Sequence, residues 1–210
     1  MSTTLDQRAN ARQPRQQRAR VRFDQVLDCA EDLLREEGLA GFSIPAVAQR
    51  LGYTRASIYK FFPTPNAVLN EIVRRSLDTL ESRLQKLAPV VLPEPWPQAL
   101  RAMTLEAAAF YNANVVARLL ILGGPVSDDS YRAQELTIQR LGGIARDLLR
   151  VRGIQLPTVK PDAAMLLVDL GTTCFRVSQF LHGRITPEYQ EEAVFAMQAY
   201  LGRYAAVPRA

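Results

Sequence analysis

The chain has 210 residues, of which 48% are hydrophobic and 22% charged, a composition typical of a soluble globular protein. No apolar run reaches the roughly 18 to 20 residues that a membrane span needs, and the chain does not begin with the apolar segment of a signal peptide. Cys29 and Cys174 are too few for a disulfide framework or a zinc site. We therefore predict a cytoplasmic protein with no membrane partner, no metal and no cofactor.

The net charge of +5 is concentrated at the N-terminus. Residues 1–22 contain six arginines and one acid, Asp6, so this segment carries the whole excess and the rest of the chain is neutral. We predict that residues 1–20 form a basic arm. Such an arm suits an anionic polymer such as nucleic acid, although a solubilising tail has the same composition.

The helical period is the dominant pattern from Val21 onward. Apolar residues recur at steps of three and four up to Gly38, which is expected to end the first helix; they are Phe23, Val26, Leu27, Ala30, Leu33 and Leu34. No segment alternates apolar and polar residues as a half-buried strand would. The sequence therefore predicts an all-α fold.

Three further helices are predicted before residue 88. Ser43 can cap the second helix and Thr54 the third, with Gly52 supplying the positive φ of a tight turn between them. The third helix is expected to end at Phe62. Thr64 is expected to cap a fourth helix that opens with Pro65 and continues to residue 87. The inward stripe of the second helix is Ile44, Val47, Ala48 and Leu51.

The second and third helices have the arrangement of a helix-turn-helix. When Ile58 is placed inward, the opposite face carries groups suited to a major groove: Arg55 for guanine, Ser57 for either base edge and Ala56 for a thymine methyl. Three other side chains suit phosphates: Thr54, Tyr59 and Lys60. A plain helical corner with a solvated face would have the same spacing.

The C-terminal part is also predicted to be helical. Residues 88–97 contain four prolines and are expected to form a connection. Helical patterns then cover about 97–122, 127–152, 162–181 and 187–204. In the first of these patterns Asn112 and Asn114 favour a break.

Two functional surfaces are predicted in this part. Apolar stripes on the last two helices favour a dimer interface over a purely internal core; its predicted residues are Leu167, Leu170, Cys174, Val177, Leu181, Ala193, Met197 and Tyr200. Residues that mix apolar surface with a few polar tips are typical of a ligand pocket, and also of ordinary core; they are Met103, Ala107, Phe110, Tyr111, Asn114 and Thr173.

The stretch from Gly38 to Leu69 resembles the N-terminal domain of TetR-family transcriptional regulators. The positions that carry the resemblance are Ser43, Val47, Ala48, Gly52, Ile58, Tyr59 and Phe62. It implies a helix-turn-helix DNA-binding domain at 21–66 and a larger effector-binding and dimerisation domain at 67–210. It also implies DNA contacts at Thr54, Arg55, Ala56, Ser57, Tyr59 and Lys60, with Ser43 at a phosphate.

The resemblance predicts a homodimer whose recognition helices enter successive major grooves of a palindromic operator. A small, hydrophobic effector of unknown identity is expected to release this repressor from its DNA. Two alternatives stay open at this point. One is an α-helical enzyme with a hydrophobic pocket, although no catalytic motif is present and the chain has a single histidine. The other is an effector-independent or activating DNA-binding protein.

Overall fold

The computed structural model describes residues 10–14, 16–123, 128–158 and 161–205, with the side chains of 128–136 also outside the description. Every regular element within these ranges is an α-helix, which confirms the all-α prediction. The helices, in chain order, are α1 Gln17–Gly41, α2 Ile44–Leu51, α3 Arg55–Tyr59, α4 Pro65–Val91, α5 Trp96–Ala113, α6 Val115–Leu122, α7 Asp128–Val151, α8 Ala163–His182 and α9 Pro187–Ala205.

Local hydrogen bonds at the predicted caps fix the starts of α2, α3 and α4. The hydroxyl oxygen of Ser43 accepts from the Ala46 amide at 3.2 Å, and Thr54 and Thr64 cap α3 and α4 in the same way. Gly52 ends α2 with a φ of 66°, a left-handed conformation that costs glycine little. These short-range contacts set the angle between α2 and α3.

Three helix boundaries differ from those predicted. Helix α1 begins at Gln17, four residues before the predicted start, and a break at Gly38 (φ 69°) interrupts its last turn. Helix α3 ends at Tyr59 because the chain turns there to bury Phe62, which has no exposed surface. Helix α4 continues through Pro89 to Val91, although the proline has no N–H to donate to the carbonyl oxygen four residues earlier.

The break predicted near Asn112 and Asn114 separates α5 from α6. The side-chain amide of Asn114 donates to the Phe110 carbonyl oxygen at 2.7 Å, which satisfies a C-terminal carbonyl of α5. The two helices are bent by 109°. In the described part of the chain no single helix is long and apolar enough to cross a membrane; only α5 and α6 taken together reach that length and hydropathy, across this bend.

Among the described residues the hydrophobic core has three clusters. The first joins α1, α2 and α3 to Ala67, Val68 and Ile72 of α4 and to Val116 of α6, so it crosses the boundary predicted at residue 66. The other two clusters lie among α4–α9. Helix α4 therefore contributes to the core of the N-terminal domain and to that of the larger C-terminal domain.

Candidate nucleic-acid interface and apolar cavity

Helix α3 turns one face inward and exposes the other. Ile58 is 1% exposed and anchors the helix in the first core cluster. Tyr59 is 42% exposed, and Ser57 and Ser43 are half-buried. The remaining residues of the predicted contact set are exposed: Thr54, Arg55, Ala56 and Lys60.

The hydroxyl groups at this face are held in fixed directions. Thr54 and Ser43 each accept a backbone N–H through the side-chain oxygen, which leaves their hydroxyl protons available to a phosphate oxygen. Ser57 instead donates its proton to the Thr54 carbonyl oxygen at 2.7 Å. Its oxygen therefore presents an acceptor to whatever lies outside.

Positive charge without a carboxylate partner surrounds this face. Within the described ranges neither Arg55 nor Lys60 forms an ion pair, whereas Arg50 pairs with Glu36 and Arg75 with two aspartates of α1. A hollow beside α3 is lined by Arg22, Tyr53, Ser57, Lys60 and their neighbours. The face therefore offers unneutralised cations to an anionic partner.

Arg22, which is not in the predicted contact set, lies beside the exposed face of α3. Its guanidinium lies over the Tyr53 ring, 5.8 Å from the ring centroid, and the Tyr53 hydroxyl donates to Gln25 at 2.6 Å. Arg18 stands one helical turn before Arg22 on the same side of α1. That four-residue spacing was a sequence signal, but the proximity to α3 comes from tertiary packing.

The described part of the basic arm runs past the end of α3. The amide of Arg12 donates to the Phe61 carbonyl oxygen at 2.7 Å. The side-chain amide of Gln13 donates to the buried carboxylate of Glu71 at 3.1 Å, which also binds Arg74. Residues 1–9 and Arg15 of the predicted arm lie outside the described residues. The arm is thus anchored to α4 beside the exposed face.

We expect Gln13→Ala to release this anchor. A hydrogen bond to a charged group is worth about 1.5 to 3 kcal/mol, so trypsin should cut after Arg12 about ten times faster in the variant. Gln16→Ala is the matched control, because Gln16 is exposed and makes no side-chain cap bond. Cleavage followed by mass spectrometry measures the rates. Equal rates in the two variants would contradict the anchor.

An apolar cavity of about 100 Å³ lies among α4, α5, α7, α8 and α9. Three of the predicted effector residues line it: Met103, Ala107 and Tyr111. The other three do not, which corrects the prediction. Phe110 packs under the Arg83 guanidinium, Asn114 closes the end of α5, and Thr173 is exposed while its neighbour Thr172 faces the cavity.

Several cavity residues were missed by the sequence analysis. On α5 a helical spacing could have found them, since Trp96, Leu100 and Thr104 precede Ala107 and Tyr111 on one face. Phe175 and Met197 reach the cavity from α8 and α9, and Arg152 reaches it from the turn after α7. No local sequence pattern identifies these three residues.

Helices α8 and α9 expose an apolar face. Of the predicted interface residues, Leu170, Val177 and Leu181 are exposed, and Cys174 and Tyr200 are half-buried. Leu167, Ala193 and Met197 are instead buried in their own subunit and have little surface to offer a partner. The exposed apolar residues that the prediction omitted are Leu166 at 41%, Phe180 at 87% and Phe195 at 69%. A pattern of alternating four- and three-residue steps drifts slowly around a straight helix. Because of this drift, Leu167 at the start of the pattern faces the core.

A family model decides the identity of the N-terminal domain. The model of bacterial regulatory proteins of the tetR family matches residues 26–72, which include α2, α3 and the turn between them. Residues 26–72 form a TetR-family helix-turn-helix domain. The resemblance seen in the sequence is thereby confirmed. No curated protein matches the chain.

Most of the chain has the fold of solved TetR-family structures. A TetR-family transcriptional regulator from Streptomyces coelicolor has 24% identity and a TM-score of 0.65, over 87% of this chain and 99% of that one. FadR of Thermus thermophilus, a TetR-family repressor in complex with lauroyl-CoA, has 18% identity and a TM-score of 0.64, over 89% and 96%. SmeT, the repressor of the Stenotrophomonas maltophilia efflux pump SmeDEF, has 19% identity and a TM-score of 0.61, over 86% and 89%. These TetR-like structures share the N-terminal helix-turn-helix domain and the larger helical domain.

Proposed function

We propose that this TetR-like protein is a cytoplasmic homodimer that binds a palindromic operator and represses transcription until a small hydrophobic effector releases it. It acts as a regulator and not as an enzyme. The observation that carries the proposal is the exposed face of α3, where Arg55 and Lys60 have no carboxylate partner in the described residues. Such a face suits the phosphate backbone and the major groove of DNA.

Each side chain of this face has a role in the proposed complex. Arg55 pairs with a guanine edge, and Ala56 and Ser57 contact neighbouring bases. The hydroxyl protons of Thr54 and Ser43 reach phosphate oxygens and fix the register of the helix. Three further groups bind the backbone: Tyr59, Lys60 and Arg22.

The apolar face of α8 and α9 forms the proposed dimer interface. Large apolar side chains that are this exposed mark interaction surfaces when they are contiguous. Leu166, Leu170, Val177 and Phe180 fall on one side of α8 by helical spacing, and Phe195 is exposed on α9, which packs against α8. A two-fold interface would bring two α3 helices to successive grooves, about 34 Å apart.

Helix α4 transmits the effector signal in this proposal. Its first turns pack in the N-terminal core, and Leu84 and Val91 line the cavity. Ion pairs join its acids Asp78 and Glu81 to Arg140 of α7. An effector that shifts α4 would change the separation of the two recognition helices. A coupling of about 1 to 3 kcal/mol would lower operator affinity about 5- to 150-fold.

Selection of binding sites from random duplex DNA tests the proposal. The full-length protein should enrich a palindrome with half-sites about 10 base pairs apart, or a multiple of that spacing. Its affinity for the enriched duplex should fall steeply with salt. Failure to enrich any sequence, with a protein that remains folded, would overturn the proposal.

Arg55→Ala and Lys60→Ala should weaken DNA binding in different ways. Loss of a base contact costs about 1 to 3 kcal/mol and relaxes preference at one position, so Arg55→Ala should bind the enriched duplex and a version changed at one guanine almost equally. Lys60→Ala should weaken both duplexes alike and reduce the salt slope by about 1. Fluorescence anisotropy at several salt concentrations separates the two patterns. Identical behaviour of the variants would mean that the face is misassigned.

A further inference from the structure

One residue that lines the cavity has a fully buried hydroxyl group. Tyr111 is 2% exposed and lines the cavity, and its Oη has no hydrogen-bond partner among the described residues. Phe110 and Phe175 hold the ring, with centroids at 5.4 and 6.4 Å. A buried polar group without a partner is destabilising and rare. A hydrogen-bond acceptor that reaches this hydroxyl from the cavity would therefore give it the partner that it lacks.

Two other polar side chains of the lining, those of Thr104 and Arg152, already have hydrogen-bond partners. The hydroxyl of Thr104 donates to the Leu100 carbonyl oxygen of its own helix. Arg152 has one unpaired atom, Nε, but its two terminal nitrogens donate to carbonyl oxygens near the C-terminal ends of α7 and α4, those of Leu148 and Val91. Helix C-termini carry partial negative charge. The guanidinium is thus held between two helix ends and needs no anionic ligand.

The phenol of Tyr111 is available as a hydrogen-bond donor. Burial raises its pKa above the ordinary value because the charged phenolate is poorly solvated inside the protein. The group therefore keeps its proton at neutral pH. The lining residues of the cavity include three with a hydroxyl group, which are Thr104, Tyr111 and Thr172.

The volume of the cavity suits a small ligand. Its volume is about 100 Å³, and an apolar cavity of about 150 Å³ holds benzene in another protein. Met103 and Met197 lie in the wall, and methionine side chains adapt readily to a guest. Because this volume is smaller than that of the benzene-binding cavity, a compact substituted ring fits only if these methionine side chains move aside.

We propose that the cavity binds a compact, uncharged, largely apolar molecule of about one ring whose single hydrogen-bond acceptor, such as a carbonyl oxygen, takes a bond from Tyr111 Oη. The inference rests on the proposed ligand-responsive function and specifies the chemistry of its effector. An acceptor gives the buried hydroxyl the partner that it lacks, whereas a hydrocarbon of the same shape would leave it unpaired.

Two fluorinated probes of nearly equal shape test this chemistry by fluorine NMR titration of the full-length protein without DNA. 4-Fluoroacetophenone carries a carbonyl oxygen where 4-fluorocumene carries a methyl group. The wild-type protein should bind the ketone about 5- to 10-fold more tightly, the range expected for one added hydrogen bond. Tyr111→Phe should bind both probes equally, with the affinity for 4-fluorocumene retained.

Two further measurements test where the probes bind and whether the site prefers an anionic ligand. Ala107→Leu fills part of the cavity and should weaken both probes together; unchanged binding would place them elsewhere and overturn the proposal. 4-Fluorobenzoate should bind more weakly than the ketone. If the benzoate binds more tightly than the ketone and Arg152→Gln abolishes that binding, the site is an anion site and the proposal is overturned. A preference for the ketone that survives in Tyr111→Phe would also overturn the proposal, because Tyr111 would then not be its donor.

The titration separates this inference from the proposed function. Binding of the ketone as expected, together with failure of the protein to enrich any DNA sequence, would reject the regulator and leave the assigned ligand chemistry standing. Enrichment of a palindrome by a protein that has no preference for the ketone would reject the ligand chemistry alone.

Discussion

Replacing Phe180 and Phe195 together by glutamate should convert the protein to a monomer and weaken operator binding at least about 100-fold. Both side chains are largely exposed in the single chain, so the fold of each subunit should survive. In the proposed dimer the two charges would be buried without partners, which is strongly unfavourable. Joining two binding modules raises overall affinity by about 10² to 10⁴, and the variant loses that gain.

The paired leucine variant, with Phe180→Leu and Phe195→Leu, is the control because it keeps the patch apolar. It should remain a dimer and bind DNA nearly as the wild type does. Sedimentation velocity gives the oligomeric state and anisotropy gives the affinity of each variant. A wild-type protein that sediments as a monomer at micromolar concentration, or a glutamate variant that stays dimeric, would refute the interface.

Phe62→Ala should be the most damaging single substitution in the N-terminal domain. Phe62 has no exposed surface and stacks on Phe23 with ring centroids 4.6 Å apart. Truncating a buried phenylalanine costs about 3 to 5 kcal/mol. Amide hydrogen exchange in α1, α2 and α3 should therefore accelerate more than about 100-fold, and DNA binding should be lost.

Tyr59→Ala is the matched control for this prediction. Tyr59 lies three residues earlier in the same segment and is 42% exposed, so its truncation should change stability by less than about 0.5 kcal/mol. It should still weaken DNA binding, because the ring belongs to the proposed contact face. Similar exchange rates in the two variants would show that Phe62 does not hold α3 in place.

The sequence predicted the parts of this molecule that depend on local chemistry. The caps at Ser43, Thr54 and Thr64 formed as expected because each requires only a hydroxyl oxygen and an amide three residues later. The turn at Gly52 needs only a residue that adopts positive φ. The inward position of Ile58 followed from helical spacing, and with it the exposed face of α3.

The parts that depend on tertiary packing were not predictable from one sequence. Arg22 lies beside the face of α3 because α1 packs next to that face. Arg152 and Met197 reach the cavity from segments far along the chain. The buried side of α8 was predicted wrongly at Leu167, since a stripe in the sequence does not say which neighbour covers it. The unpaired hydroxyl of Tyr111 likewise emerges only when all the lining helices are in place.

Methylation interference on the enriched duplex tests most directly whether α3 reads the major groove. Dimethyl sulfate methylates guanine N7 in the major groove and adenine N3 in the minor groove. Methylated guanines in both half-sites, about 10 base pairs apart or a multiple of that, should block binding, and Arg55→Ala should relieve the block at one guanine of each half-site. Interference confined to minor-groove adenines, or the same guanine pattern with Arg55→Ala as with the wild type, would contradict the account.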